Sequence, residues 1–357
     1  MQSLDEKEWR EFSLDDIFTV SAGKRLETRN KVLGTRPFIG ATDNNNGVTG
    51  FVGNDNSSRD GNVLGVNYNG SPCVAFYHPY ECIFTDDVKR LHLRHYSDNK
   101  FVLLFFVSVF AKQRSKYSYG YKFKEQRMLR QKLMLPITDS GKPDYTYMAE
   151  YAQQKRDAML AKYCAYVEKR IAELGEVAKI PTLNEKEWKP IAIASLFTNI
   201  SAGKISNASA FEKTTCKGVE YIAATNRNNG CLYFLDSTDE LKNKIQDGNC
   251  IGFIKDGDGS AGYAIYKKEP FVSTVNVLYG YADWLNEATG LFFVAAQDMI
   301  EHKYSHGYKR NKEHLAGDKV MLPVTDSGEP DYEYMEQYAK NLMLKKYRQY
   351  LKYLNQR

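Results

Sequence analysis

Hydrophobic positions along this chain come in short runs separated by asparagine- and glycine-rich punctuation, and the series is written twice. The first series is "RPFIGAT" (Arg36–Thr42), "NNNGVTGFVGN" (Asn44–Asn54), "GNVLGVNYNGS" (Gly61–Ser71) and "CVAFY" (Cys73–Tyr77). The second is "VEYIAAT" (Val219–Thr225), "NRNNGCLYF" (Asn226–Phe234), "GNCIGFIKDGDGS" (Gly248–Ser260) and "YAIY" (Tyr263–Tyr266). These patterns predict strands joined by turns in which glycine and asparagine supply positive φ. A helical segment follows each series, around Lys100–Gln113 and Trp284–Glu301, and a strand-like "LMLPIT" or "VMLPVT" closes it.

After each closing strand the period changes to that of a long helix. "TDSG" reads as a turn, Pro143 and Pro330 fix its exit, and Asp144 and Asp331 are placed to cap the two long helices. Met148, Tyr151, Met159, Tyr163, Tyr166, Val167, Ile171 and Leu174 fall mostly three or four apart, on one helical face. Met335, Tyr338, Leu342, Met343, Tyr347, Tyr350, Leu351 and Leu354 do the same in the second copy. About 30 residues at 1.5 Å each predict a first helix roughly 45 Å long. Its stripe needs a partner. The expected one is its own duplicate, antiparallel, in a coiled coil; the competing arrangement packs each helix only on its own head.

The duplication extends to nearly every feature. "EKEW" recurs at Glu6–Trp9 and Glu185–Trp188, "SAGK" at Ser21–Lys24 and Ser201–Lys204, and "KYSYGYK" (Lys116–Lys122) as "KYSHGYK" (Lys303–Lys309). "LPITDSGKPDYTYM" (Leu135–Met148) returns as "LPVTDSGEPDYEYM" (Leu322–Met335). The period is far longer than a solenoid's 20 to 50 residues, so each unit is a domain. The expected architecture is α+β: a globular domain at 1–142, a long helix at 143–178, a second globular domain at 179–329 and a second long helix at 330–357.

Composition narrows the setting. The hydrophobic fraction of 43% is ample for two cores and 26% charge is ordinary for a soluble protein. The best apolar run, "FVLLFFVSVFA" (Phe101–Ala111), is too short to span a bilayer. "MQSLDEKEWREF" reads as no secretory signal, so a cytoplasmic protein with no membrane partner is expected. The cysteines Cys73, Cys82, Cys164, Cys216, Cys231 and Cys250 neither match between units nor form a CxxC pair, which argues against a disulfide frame or a zinc site.

A net charge of +5 matters less than where the bases sit. "AGKRLETRNK" (Ala22–Lys31), "AKQRSKYSYGYKFKEQRMLRQK" (Ala111–Lys132) and "HKYSHGYKRNKEH" (His302–His314) interleave Lys and Arg with tyrosine, the mixture that neutralises phosphates and packs on sugars and bases. Catalytic readings fare worse. "GDGSAG" (Gly257–Gly262) fits GxGxxG, but strand rather than helix follows it. As a calcium loop it fails, with Ala261 for the required glycine and Lys267 for the closing acid. Asp331 has no acid-x-Lys pair behind it, and the chain has no Pro-Pro for an adenine methyltransferase site. His302, His306 and His314 suit a DNA-facing loop better than zinc.

With these residues in view, the chain resembles the specificity subunits of Type I restriction-modification systems, and especially their Type IIB (BcgI-like) version. The motifs are "W…L.DIF….GKR", "FIGAT..NNGVTGF", "VNYNGS", "YSYGYK" and "LPI…GKPDY..M", in order and twice over. The resemblance implies two target-recognition domains, each reading half of a bipartite site in double-stranded DNA. It implies paired helices that space them and dock DNA methyltransferase or fused methyltransferase-nuclease subunits. No catalytic residue, metal or cofactor is expected on this chain; S-adenosylmethionine and Mg belong to the partner subunits. The second copy departs from the first in being poorer in Lys and Arg around Ser201–Glu212. In the first unit the expected phosphate contacts are Lys24, Arg25, Arg29, Lys116, Lys122 and Lys124, with base edges read by Asn44, Asn45, Asn46, Asn67, Tyr68, Asn69 and Tyr119. In the second the phosphate residues are Lys204, Lys303, Lys309, Arg310 and Lys312. Its base readers are Asn226, Arg227, Asn228, Asn229, Asp256, Asp258 and His306. Asn pairs bidentately with adenine and Arg with guanine; the other reading of each asparagine is a turn residue.

Overall fold

The computed structural model describes residues 2–117, 121–215, 218–257, 259–305 and 307–356. They form two compact units, Met1–Ala165 and Tyr166–Arg357. In the first, β1 (Trp9–Ser13), α1 (Leu14–Ile17), β2 (Phe18–Ala22), β3 (Leu33–Ile39), β4 (Val48–Val52) and β5 (Val63–Asn67) come first. Then come β6 (Ala75–His78), β7 (Ile83–Phe84), β8 (Val88–Leu93), α2 (Lys100–Gln113), α3 (Glu125–Leu129), β9 (Lys132–Pro136) and the long α4 (Tyr145–Leu174). The second repeats the order with β10 (Trp188–Ala192), β11 (Asn199–Ala202), β12 (Lys213–Thr214), β13 (Val219–Ile222), β14 (Cys231–Leu235), α5 (Asp239–Lys242) and β15 (Cys250–Ile254). It ends with β16 (Ala264–Lys267), β17 (Phe271–Ser273), β18 (Val277–Tyr281), α6 (Glu287–Gln297), α7 (Lys312–Gly317), β19 (Lys319–Pro323) and α8 (Tyr332–Asn355).

Each unit holds an antiparallel four-stranded sheet, β2-β8-β5-β6 or β11-β18-β15-β16. A mixed sheet lies beside it, three-stranded β4-β3-β7 in the first unit and four-stranded β12-β14-β13-β17 in the second, in which β3·β7 and β13·β17 run parallel. The apolar helix covers the antiparallel sheet: Val102, Phe106 and Phe110 of α2 pack with Leu64, Val66 and Leu91, and Phe18 meets Phe106 edge-on at 4.7 Å. Asn99 caps α2 by accepting from the Phe101 and Val102 amides, and Asn286 caps α6 in the same way. The predicted helix from Trp284 therefore starts later. Trp284 stacks on Tyr332 at 4.7 Å and gives its indole N–H to the Leu196 carbonyl. Beyond Gln297 the chain tightens to a 3-10 turn over Asp298–Lys303.

The near-verbatim repeats are joints. β1 pairs with β9 and β10 with β19, antiparallel and in one register, Trp9 opposite Pro136 and Trp188 opposite Pro323. The lysine of each "EKEW" reaches the aspartate that caps the long helix, Lys7 to Asp144 at 2.8 Å and Lys186 to Asp331 at 2.6 Å. Those carboxylates also accept from the Tyr147 and Tyr334 amides. The letters recur because one aspartate must end the turn, start the helix and hold the first strand.

Within the first unit, α4 buries Met148 in the core and leaves Met159 exposed. Within the second, Val167 is buried and Arg170 bridges Glu173 at 2.7 Å and Glu287 at 2.8 Å. α8 buries Met335, Ala339 and Leu344. Among the described residues no helix is long and apolar enough to cross a membrane. The described cysteines are all free.

Candidate nucleic-acid interface

Five loops of each unit meet through duplicated backbone contacts. The chain after β2 passes so close to the loop after β7 that a Cβ on Gly23 would lie 1.9 Å from the Thr85 carbonyl oxygen. Gly203 has the same relation to Thr274 at 2.0 Å. Only glycine allows this approach, which sets the exposed Lys24 and Lys204 at fixed places. Gly70 and Gly257 press the loop after β5 or β15 onto Ala41 and Ala224, where a Cβ would sit 2.4 and 2.3 Å from a carbonyl oxygen. The tyrosine-rich loop joins through the Phe123 amide to the Tyr68 carbonyl at 3.2 Å, and through the Arg310 amide to the Lys255 carbonyl at 3.0 Å. Loops far apart in sequence thus become neighbours, held by main-chain bonds and close backbone approaches.

The asparagine loops follow from backbone conformation. Asn45, Asn46 and Gly47 are all left-handed at φ 50°, 52° and 75°, and Asn228, Asn229 and Gly230 repeat this at 49°, 50° and 78°. Asparagine is the side-chain-bearing residue that best tolerates this region. Asn46 Nδ2 also donates to the Tyr80 hydroxyl at 3.1 Å, and Asn229 Nδ2 to the Tyr266 carbonyl at 2.8 Å. Turn formation accounts for these four asparagines, and what varies is beside them: Asp43-Asn44 in one unit, Asn226-Arg227 in the other. Asp43 is paired with Arg114 at 3.0 Å, while Asn226 Oδ1 accepts from the Ser260 hydroxyl at 3.2 Å.

Most predicted residues are exposed or half-buried. Lys24, Arg25, Arg29, Asn44, Asn45, Asn46, Lys116 and Lys124 are exposed, as are Lys204, Asn226, Arg227, Asn228, Asn229, Lys303, Lys309 and Lys312. Tyr68, Asn69, Lys122 and Asp256 are half-buried. Several are engaged: Arg29 with Glu27 at 2.8 Å, Asn69 with Asp87 at 3.0 Å, Lys303 with Asp318 at 3.5 Å and Lys309 with Asp256 at 2.6 Å. Tyr119, Asp258 and His306 lie outside the described residues.

Two expectations are overturned. Asn67 is 1% exposed and gives its amide to the Thr42 carbonyl at 2.9 Å, so it ties two loops together and cannot touch a base. Arg310 is 0% exposed; its guanidinium bonds Asp318, Gln297 and the Gly262 carbonyl, so it cannot reach a phosphate. Both stand beside polar residues in sequence, whereas burial of the whole of β5 and a buried acid decide their orientation. Arg310 replaces the buried Phe123 of the first unit, and Asp318 and Gln297 replace Gln131 and Phe110. Burial pulls the Arg310 pKa down, against the pull of Asp318.

Arg114 and Lys255 were not singled out in the sequence. Arg114 stood inside the quoted basic run, but nothing in its spacing showed that it grips the asparagine loop through Asp43. Lys255 takes the place of Tyr68 and gives its ammonium to the Val275 carbonyl at 3.0 Å. On β6, the buried His78 is held well below an ordinary imidazole, at about 4, by desolvation. Its counterpart Lys267 is ion-paired with Glu220. Among the described residues no group of three or more His, Cys, Asp or Glu is placed to hold a metal.

These loops can do two things: meet a polyanion with exposed cations, and present amide and guanidinium groups from a rigid frame. A family model described as "Type I restriction modification DNA specificity domain" matches residues 6–159 and again 185–352. The specificity subunit S.BcgI of the Type II restriction enzyme BgcI from Heyndrickxia coagulans is 48% identical over 162 residues, 45% of this chain and 48% of that protein. The match thus spans about half the length of that relative. The crystal structure of a Type-I restriction-modification system S subunit from M. genitalium aligns with a TM-score of 0.51 at 13% identity, covering 100% of this chain and 94% of that one. The likeness is one of fold.

Proposed function

The chain belongs to the Type I restriction-modification DNA specificity family, and from that premise we propose that it is the DNA-reading subunit of a restriction-modification complex. Each unit's loop edge reads one half of an asymmetric, interrupted site in duplex DNA. One observation carries this: the two edges share their backbone frame contacts and differ at their tips. Gly70 and Gly257, the left-handed asparagines and the Phe123 and Arg310 amide bonds are common to both. Asp43-Asn44 against Asn226-Arg227, and "NYNGSPC" against "DGDGSAG", are not. A duplicated enzyme would keep its reactive side chains constant, whereas a reader of two half-sites varies its tips.

The chain itself carries no catalytic function in this reading; partner methyltransferase or methyltransferase-nuclease subunits supply the chemistry. Support for docking comes from an apolar groove present in both units. In the first, Trp9, Phe105, Met134, Tyr151 and Met159 line a cavity of about 810 Å³. In the second, Trp188, Phe292, Met321, Tyr338 and Leu342 line one of about 660 Å³. The helices α4 and α8, about 45 and 36 Å long at 1.5 Å per residue, pair antiparallel and set the distance between heads. Co-expression with the adjacent subunits and genome-wide mapping of methylated positions tests the whole. Expected is a bipartite target with unlike halves; a contiguous target, or methylation by the purified chain alone, refutes it.

A further inference from the structure

The first unit carries an apolar pair that neither its core nor its base-reading tips employ. Val32 and Leu33 are 59% and 93% exposed, and Phe51 on the neighbouring strand is 57% exposed. The pair is firmly mounted. Val32 N–H donates to Asn54 Oδ1 at 2.7 Å, Gly53 N–H donates to the Val32 carbonyl at 2.8 Å, and Asn54 Nδ2 donates to the Asn30 carbonyl at 3.0 Å. The β3·β4 register slips between Leu33 and Arg36, a bulge of the kind that re-aims side chains. Leu26 already covers the inner cluster of Phe38, Val52 and Ile83, so the sheet does not need Val32 or Leu33 for its core.

Scattered exposed apolar residues are ordinary. Two adjacent ones on a bonded turn, inside a basic loop, need an occupant that suits both. Lys24, Arg25, Arg29 and Lys31 precede the pair in sequence with Glu27 among them, Arg29 pairing with Glu27, while Asp55, next to the Asn54 that holds Val32, lies 3.8 Å from Arg36. Protein-binding patches are depleted in lysine, whereas a duplex rewards flanking cations with phosphate contacts and an apolar tip with a gap between bases. We propose that Val32 and Leu33 are a wedge that enters the duplex at a base step bordering the first unit's half-site and partly unstacks it. The inference rests on the DNA-reading function. It adds that the first half-site favours an easily unstacked step, such as pyrimidine–purine, at a position where no side chain hydrogen-bonds a base.

The test uses the full chain assembled with its partner subunits and short duplexes carrying the target found by methylation mapping. The fluorescent adenine analogue 2-aminopurine is moved one position at a time across each duplex, since it brightens when unstacked. The parent should brighten one step beside the first half-site and none at the matching place of the second. The double variant V32S/L33S, at exposed positions where folding is not at stake, should lose that signal. It should bind about tenfold or more weakly, the scale of returning a leucine and a valine side chain to water, with an unchanged salt slope. Brightening that survives in the variant, or none with the parent, overturns the wedge. So does a variant that binds DNA normally but no longer assembles with its partners, which would make this surface a protein contact. If the parent prefers the mapped duplex no more than a scrambled one, the DNA-reading function falls as well.

Discussion

The two units solve one packing problem differently, and the difference gives a quantitative prediction. Behind the tyrosine-rich loop, the first unit buries Phe110 and Phe123, ring centroids 6.3 Å apart, with Gln131 accepting from the Tyr117 hydroxyl. The second places Gln297, Arg310 and Asp318 there, the Arg310 Nε donating to Asp318 at 2.9 Å and the Tyr304 hydroxyl donating to the same oxygen. Replacing Arg310 by leucine leaves the Asp318 side chain, 5% exposed, with only the longer contact from the exposed Lys303, at 3.5 Å, to balance its charge. Breaking such a pair from one side costs about 3–5 kcal/mol, while exchanging the whole network for apolar residues is close to neutral. R310L should therefore destabilise the second unit by that amount. The triple variant Q297F/R310F/D318Q, which transplants the first unit's solution, should come back to within about 1 kcal/mol of the parent. Denaturant unfolding followed by tryptophan fluorescence measures this, because Trp188 and Trp284 report the second unit. If R310L costs under about 1 kcal/mol, the pair is not holding the fold. If the triple variant is worse than R310L, the equivalence between the units is wrong.

Replacing Lys24, Lys116 and Lys124 by alanine should weaken binding to every DNA sequence and reduce the log–log salt slope by about 2.7, the loss of three phosphate contacts; an unchanged slope removes these lysines from the interface. His92 is hydrogen-bonded to Asp60 and Asp98, which raise its pKa from 6.5 to about 9. Its stabilisation is complete below pH 6.5 and fades as pH rises to about 9, so H92Q should cost the first unit about 1–2 kcal/mol at pH 6 after allowance for solvent screening, and far less at pH 9.5. A cost that does not change with pH would refute this. Removing one heptad, about 10 Å, from α4 and α8 at matched places should shorten the gap between half-sites by about three base pairs, read from methylation maps, without changing either half.

Periodicity and duplication carried most of the architecture. Alternating apolar runs between Asn and Gly, an apolar stretch after an asparagine, and a proline-aspartate before a 3.6 repeat each have a local physical cause. α2 therefore lies at Lys100–Gln113 as its pattern predicts, and Asp144 and Asp331 cap their helices. Duplication also marked which loops belong together. Local pattern could not say which way a polar side chain in those loops points. Asn67 lies on a strand buried on both faces, and Arg310 faces Asp318 just before β19 and turns inward although Lys309 and Asn311 beside it are exposed. The left-handed asparagines show the same limit: the letters suit base contact and tight turns alike, and only the backbone dihedrals separate them. Conformation within a segment follows from short-range sterics and period, which one sequence contains; the burial of a given polar group depends on the partners that surround it, which only the folded chain brings together.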